Sequence, residues 1–518
     1  MKQGVTINRV VAFFFLLLTS AWVALVNGQP LFNIDTTAYV RGVDFAVVYF
    51  LGPKFATSWT QERTLQGLEQ EQPHNVRGEK RGGEINLNSP FDKTVMAGRS
   101  IYYGALLYLG YISSDFWLVV FAQAAIFLYL SHTLTIKCLR LSFFSFVCVT
   151  AITLVATPLS FFISVLMPDV FAGFLILSVV ILIGFWDSLK YRDRIILSFI
   201  VLYLALTHTS HLLLLIWMVS IFALVSFVVG RNTKFHRPVR SSLAVLLALS
   251  LVGILGELAF SYGVRHTIGV DPIRPPFLMS RLIADGPGYK FLQENCAKKA
   301  YTVCKYIDRL PVSGGEFLWS ASPTNGVFSV ADLPTRRALS SEQTSFAIDV
   351  FRFDPVGVIT SASSDFFRQL FKITLDSFFL NKETLVGLPT SYFDAMTRSR
   401  IATRDWLLQI FATFYFSTYV MALLALMLIS ASLYWTRSKR SLQILPLSEW
   451  TPILTVIALA IVSNAAICGI LSGAASRYQT RISWIPLFIL GIVAAKYWES
   501  KITKLNMKHA RNGDVREA

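Results

Sequence analysis

The chain has 518 residues, of which 54% are hydrophobic and only 15% charged. A water-soluble domain of this length carries far more charge, so the composition excludes an ordinary soluble enzyme and predicts an all-α polytopic membrane protein. The net charge of +16 is spread over short loops between apolar runs, a pattern that sets membrane orientation rather than nucleic-acid binding.

A bilayer span needs about 20 apolar residues. The first such run, 10–27, follows "MKQGVTINR" and is succeeded at once by "GQPLFNIDTTAYVRGVDF", which places Asp35, Tyr39, Arg41 and Asp44 close to a membrane surface. This run also has the make-up of a signal peptide, with "VNG" before Gln29 as a passable cleavage site, but its length favours a retained span. The stretch "GRSIYYGALLYLGYI" at 98–112 is too short to cross; its aromatic and small residues suit an interfacial helix. Further runs lie at 116–135, 141–158, 169–186, 195–208, 211–229, 241–262, 406–434, 450–472 and 482–497. Pro158 is expected to kink or end the third of the ten. The expected total is about ten transmembrane helices.

With the N-terminus in the cytoplasm, the inner loops are "KCLR", "DSLKYRDR", "GRNTKFHRPVR", "WTRSKR" and the tail after 495. These and the first nine residues carry twenty Lys and Arg. The short loops of the opposite face have almost none apart from "SRYQTR". The asymmetry puts both termini inside and two long polar segments outside. The expected division is 1–27, N-terminus and first span; 28–115, a first extracytoplasmic loop; 116–262, a helical core; 263–405, a small extracytoplasmic domain of helices and irregular structure; 406–497, the last spans; and 498–518, a cytoplasmic tail. Within the first loop, 61–89 is poor in apolar residues and is expected to be mobile. Of the five cysteines, only Cys296 and Cys304 fall in a polar segment, and a disulfide between them is expected if that segment faces an oxidising compartment. No cysteine or histidine cluster has zinc spacing.

Ionisable residues gather on the outer side. Asp35 and Asp44 follow the first span, Asp169 stands where the chain re-enters, and "LTHTSHLLL" puts His208 and His211 at an outer turn. Glu257 lies near the outer end of its span, and "SGAASRYQTRISW" supplies Arg477, Tyr478 and Arg481. Such groups at membrane depth are costly and usually functional. Each also has a plain structural explanation: Asp169 after Pro168 makes a natural helix cap, the histidines can satisfy a turn, Glu257 can be an idle interfacial carboxylate, and the arginines can be loop charges. Arg477 and Arg481, four apart, can present two guanidiniums to one phosphate.

The chain has no phosphate loop of the G-x-x-x-x-G-K-[ST] type, no H-E-x-x-H and no G-x-S-x-G. Activated groups outside a cell arrive on lipid carriers, and their transfer needs a cation for the phosphate and a carboxylate for the acceptor proton. "SRYQTR" and "FNIDTTAYVRG" supply those two types. In this order of parts the chain resembles the GT-C class of membrane glycosyltransferases, over roughly its first 220 residues and "SRYQTR". The resemblance implies a bacterial inner (plasma) membrane enzyme that moves a sugar from a polyprenyl-phosphate carrier to an extracytoplasmic glycan, lipid or protein. It implies Asp35 as the catalytic acidic residue, with Asp44 as the alternative because Thr36 replaces the second member of the usual acidic pair, and the arginine–tyrosine segment as the phosphate holder. No D-x-D stands near Asp35, so neither a divalent metal nor a cofactor is expected. Rival readings are an O-antigen-ligase-like or polysaccharide polymerase enzyme, which would use His208, His211 and the 263–405 segment, a transporter or flippase, and an assembly protein without chemistry.

Overall fold

Every apolar run of the sequence lies on a helix. The structure is a computed structural model and describes residues 2–59, 95–229, 236–320, 322–378, 395–401, 403–436 and 447–514. The expected mobile stretch at 61–89 and parts of the basic loops at 230–240 and 435–440 lie outside the described residues. In chain order the α-helices are α1 (Lys2–Ser20), α2 (Trp22–Asn27), α3 (Ile34–Leu51), α4 (Ile101–Ser114), α5 (Trp117–His132), α6 (Phe143–Ala156), α7 (Leu159–Ser164), α8 (Val170–Phe185), α9 (Tyr191–Leu206), α10 (Thr209–Val229) and α11 (His236–Ile268). There follow α12 (Phe277–Ala284), α13 (Pro287–Asn295), α14 (Gly314–Trp319), α15 (Leu333–Phe353), α16 (Pro355–Phe371), α17 (Asp405–Thr436), α18 (Leu447–Ser472), α19 (Ser476–Thr480) and α20 (Trp484–Asp514). Among the described residues there is no strand, only two isolated bridges, Leu31 to Val165 and Met96 to Ile273.

Six helical stretches are long and apolar enough to cross a membrane among the described residues: Trp117–Cys138, Val170–Ser188, Arg240–Ile268, Asp405–Ser432, Leu454–Ser472 and Ser476–Lys504. Shorter apolar helices cover Asn8–Ser20, Phe143–Ala156 and Thr209–Leu224. The run at 141–158 ends at Ala156, ahead of Pro158, whose missing N–H and ring cannot continue it. Asp35, Tyr39, Arg41 and Asp44 are all on α3, set off by the cap residue Asn33.

Helix α8 is apolar on every face, which suits a core or a membrane span alike; here Val170, Phe174, Ile176 and Leu182 are fully enclosed at the centre of the bundle. Its one serine, Ser178, is satisfied by donating to the Phe174 carbonyl at 2.8 Å. Packing in lipid depends on close approach rather than on expelling water. Gly173 of α8 therefore faces Trp484: a Cβ there would lie 2.6 Å from the indole nitrogen. Outward-facing apolar side chains such as Leu251, Leu255 and Leu258 of α11 and Met421 and Leu428 of α17 remain exposed, as a lipid-facing surface requires.

The bundle has two different ends. At one, Lys137 pairs with Asp193 at 2.7 Å, Lys496 donates to the Leu139 carbonyl at 2.7 Å and Glu499 accepts from the Ser142 amide at 2.9 Å. Three of the basic loops thus meet there. The other end, where α8 begins at Asp169, carries a second hydrophobic core built from Met279, Ile283, Phe291, Val303, Phe317 and Phe346. Cys296 and Cys304 are joined at its edge, with their Cα atoms 5.7 Å apart. Helix α16 ties this part to the bundle: Gly469 of α18 packs against it so closely that a Cβ would lie 2.8 Å from the Asp365 carbonyl.

Candidate functional site

The site is built around Asp35. Leu31 pairs with the strand-like stretch before α8, its amide donating to Ser164 at 2.8 Å and its carbonyl accepting from Leu166 at 2.9 Å. The Asn33 side chain then accepts from the Asp35 amide at 3.1 Å, and Thr36 both accepts from the Asn33 amide at 3.0 Å and donates to the Leu166 carbonyl at 3.0 Å. This reciprocal cap starts α3 and fixes Asp35 in its first turn, where the helix dipole favours a negative charge.

Arg99 reaches Asp35 from the segment before α4. That segment is held by Ile273, whose carbonyl accepts from the Ala97 amide at 2.8 Å and whose amide donates to Val95 at 2.7 Å. Ser100, the cap of α4, donates to the Leu206 carbonyl at 2.6 Å. Helices α3 and α4 touch because Gly104 has no side chain: a Cβ there would lie 2.6 Å from the Tyr39 carbonyl. Arg99 forms an ion pair with one oxygen of Asp35, and its guanidinium lies between the rings of Tyr39 at 6.0 Å and Trp319 at 5.9 Å. Arg477, on α19, takes the other oxygen at 2.9 Å. One carboxylate is thus shared between two guanidiniums, and each of the three side chains keeps only about a fifth of its surface or less.

A second pair lies deeper. Asp169 makes no cap hydrogen bond to its own helix; it pairs instead with Arg481 at 3.2 Å, with the two side chains 7% and 1% exposed respectively. The Arg481 guanidinium also donates to Asn464 at 3.0 Å, and Asn464 in turn donates to the Tyr478 carbonyl at 2.7 Å. Arg477 and Arg481 therefore bind separate carboxylates rather than facing one ligand. The Tyr478 ring stands between them, 5.3 Å from each guanidinium.

The remaining candidates are placed as follows. Asp44 is fully buried on the opposite side of α3 from Asp35, nine residues on at about 100° per residue. It accepts from the Thr57 amide at 3.0 Å and the Thr57 hydroxyl at 2.5 Å, and so holds the chain end that leaves α3. His208 and His211 sit together with ring centroids 5.3 Å apart. His208 contacts Ser210 at 2.8 Å, and His211, fully buried, contacts Thr207 at 3.2 Å. Ser210 is 3.4 Å from Arg481, which links the histidines to the deeper pair. Glu257 faces Arg274 at 3.7 Å and lines a small cleft with Arg99, Tyr102, Thr209 and Phe260.

Arg99, Trp319 and Asn464 escaped the reading of the sequence. An arginine opening an aromatic interfacial helix reads as a headgroup anchor, and nothing local to it points at Asp35.

Burial by itself would raise the Asp35 pKa, but the charges and hydrogen bonds of Arg99 and Arg477 outweigh it and hold the carboxyl far below the usual carboxylate range. Burial pushes the Tyr39 phenol upward, so it stays protonated. The arrangement can hold an anion between two planar forks, and it offers a carboxylate for proton transfer once that carboxylate is released. Among the described residues no group of three or more histidine, cysteine or acidic side chains is placed to hold a metal ion. No family model matches the chain, and neither a curated protein nor a solved structure matches it.

Proposed function

We propose that the chain is a GT-C-like membrane glycosyltransferase that moves a sugar from a polyprenyl-phosphate carrier to an extracytoplasmic glycan, lipid or protein acceptor. This reading takes about ten spans in a bacterial inner (plasma) membrane, both termini in the cytoplasm and residues 263–405 outside. The observation that carries it is the meeting of Asp35 with Arg477 across 442 positions of sequence. That pair joins an acidic residue just after the first helix to an arginine of the late loop, the two groups such a transfer needs.

In the reaction the acceptor hydroxyl oxygen bonds to the anomeric carbon while the bond from that carbon to the phosphate oxygen breaks. The electron pair leaves on the phosphate, steadied by Arg477, and the hydroxyl proton passes to Asp35. Asp169 and Asn464 hold Arg481, which stiffens the segment carrying Arg477.

The test is release of free polyprenyl phosphate from polyprenyl-phosphate-linked sugars by membranes containing the full chain. Asp35→Asn should accumulate normally and lose release by about 10²–10⁴-fold, the usual contribution of a general base. Arg477→Lys should recover only part of the activity lost in Arg477→Ala, because the planar fork is gone. Undiminished release by Asp35→Asn would remove the proposed base.

A further inference from the structure

The doubly held carboxylate presents a contradiction for a base. Arg99 and Arg477 occupy both oxygens of Asp35, so no oxygen faces an acceptor without competition. The group of three side chains also carries one surplus positive charge in a largely buried place, which is costly to maintain. Around it are donors with no acceptor: the Arg99 Nε and the Tyr39 hydroxyl are both buried and make no hydrogen bond. Buried donors are normally satisfied, and exceptions call for an explanation. A small cleft beside Arg99 is lined also by Glu257 and Phe260 of α11.

We propose that Asp35 is the resident anion of an Arg99–Arg477 clamp, and that a lipid-borne phosphate ester takes its place when substrate binds, which frees the carboxylate. One phosphodiester charge added to two guanidiniums and one carboxylate brings the group to neutrality. The incoming oxygens give Arg99 Nε and the Tyr39 hydroxyl acceptors, and each fork can turn both of its edges to the phosphate. Asp35 then stands unpaired beside the phosphate it has admitted. Its tight hold in the resting site, with the carboxyl kept deprotonated and unreactive by the two arginines, becomes a safeguard, since the base is released only when donor is present. The exchange rests on the proposed function for the lipid source of the phosphate and for nothing else.

The test is binding, read by isothermal calorimetry on the full-length protein in detergent micelles, with inorganic phosphate and farnesyl phosphate as probes. Asp35→Asn removes the competitor while leaving the clamp, so it should bind farnesyl phosphate about tenfold or more tightly than the unaltered protein, the worth of one charge-assisted hydrogen bond. Arg99→Gln and Arg477→Gln should each weaken binding by about tenfold or more, and Arg99→Lys should fall between, as a charge without the fork. The lysine variant keeps the test sound if the glutamine variants fold poorly. Binding of farnesyl phosphate alone identifies a lipid source; binding of both probes shows that the phosphate group suffices. Weaker or unchanged binding by Asp35→Asn overturns the exchange, as does unchanged binding by both arginine variants or binding of neither probe. Gained affinity in Asp35→Asn with no glycosyl transfer by the unaltered chain would keep the clamp and discard the transferase, whereas transfer without gained affinity would do the reverse.

Discussion

Two three-charge clusters at the same end of the molecule are mirror images. In one, Asp35 lies between Arg99 and Arg477. In the other, Arg281 lies between Asp285 at 2.7 Å and Asp365 at 2.7 Å. The second is a joint. Arg281 is 4% exposed, and it also donates to the Ile470 carbonyl at 2.6 Å, so it locks the second core to the end of α18. Arg368 pairs with Asp365 at 3.3 Å from the solvent side and offsets the extra negative charge. The first cluster has no such offset; a buried donor without a partner occurs in both, Arg99 Nε and the Tyr39 hydroxyl in the first and Arg281 Nε in the second. Equal chemistry thus separates into a strut, where every charge has a neutralising neighbour, and a proposed site, where one positive charge is left over.

The comparison can be broken most strongly at Arg281. Arg281→Met leaves two buried carboxylates facing each other and should cost about 3–5 kcal/mol, read as lost thermal stability or lost accumulation. Arg477→Met should cost clearly less, because Asp35 retains Arg99 and a surplus positive charge is removed. If both substitutions cost the same, the distinction between strut and site fails. A smaller effect than at Arg281 is expected at the other carboxylate of α3. Asp44→Ala leaves the buried Thr57 amide without its acceptor and should cost about 1–3 kcal/mol, with release of polyprenyl phosphate per folded molecule unchanged. Loss of activity in the folded fraction would move the base to Asp44.

The smallest effect concerns pH. Burial, reinforced by the charge of Asp365, raises Asp285 to about 6 from its ordinary value near 3.8, against the pull of Arg281. The folded chain therefore holds a proton that the unfolded chain has already lost between those two values. Stability from this group is present below about 4, falls as pH rises through about 6, and then levels off. The melting temperature should drop modestly from pH 4 to 7, and Asp285→Asn should remove that component. Asp35 is shifted the opposite way, so its contribution is lost only in strong acid. A melting temperature that rises across this range because of Asp285 would reverse the assignment.

Much of the fold was legible because membrane helices declare themselves by length and apolarity. The central burial of α8 was not legible, since a helix without a polar face fits a lipid-facing position equally well. The gathering of Asp35, Asp169, His208, His211, Arg477 and Arg481 at one end was legible too, since span parity brings alternate loops to the same side. Pairing within that end was not. Four-residue spacing put Arg477 and Arg481 together on one ligand, but Asn464, distant in sequence, draws Arg481 inward. The choice between Asp35 and Asp44 stayed open in the sequence, where Thr36 replaces the second member of the acidic pair; on helix α3 the two point in opposite directions. Arg99 was missed because its partner is set by Gly104 and Ile273, contacts that no local pattern encodes.

One attachment described above bears on how such a protein changes over evolution. The side chain of Gln369 pairs with both backbone groups of Ala475, at 3.0 and 2.8 Å, Lys372 donates to the Ala474 carbonyl at 3.1 Å, and the Thr374 amide donates to Thr480 at 3.2 Å. The end of α16 is in effect spliced onto the segment bearing Arg477, with contacts on both flanks. An unrelated module inserted in place of residues 277–371 would have to bring its own partners for these backbone groups or leave the arginine unanchored. The part built on the second core is therefore coupled to the segment between the last two long helices, and an exchange of one would have to carry the other with it.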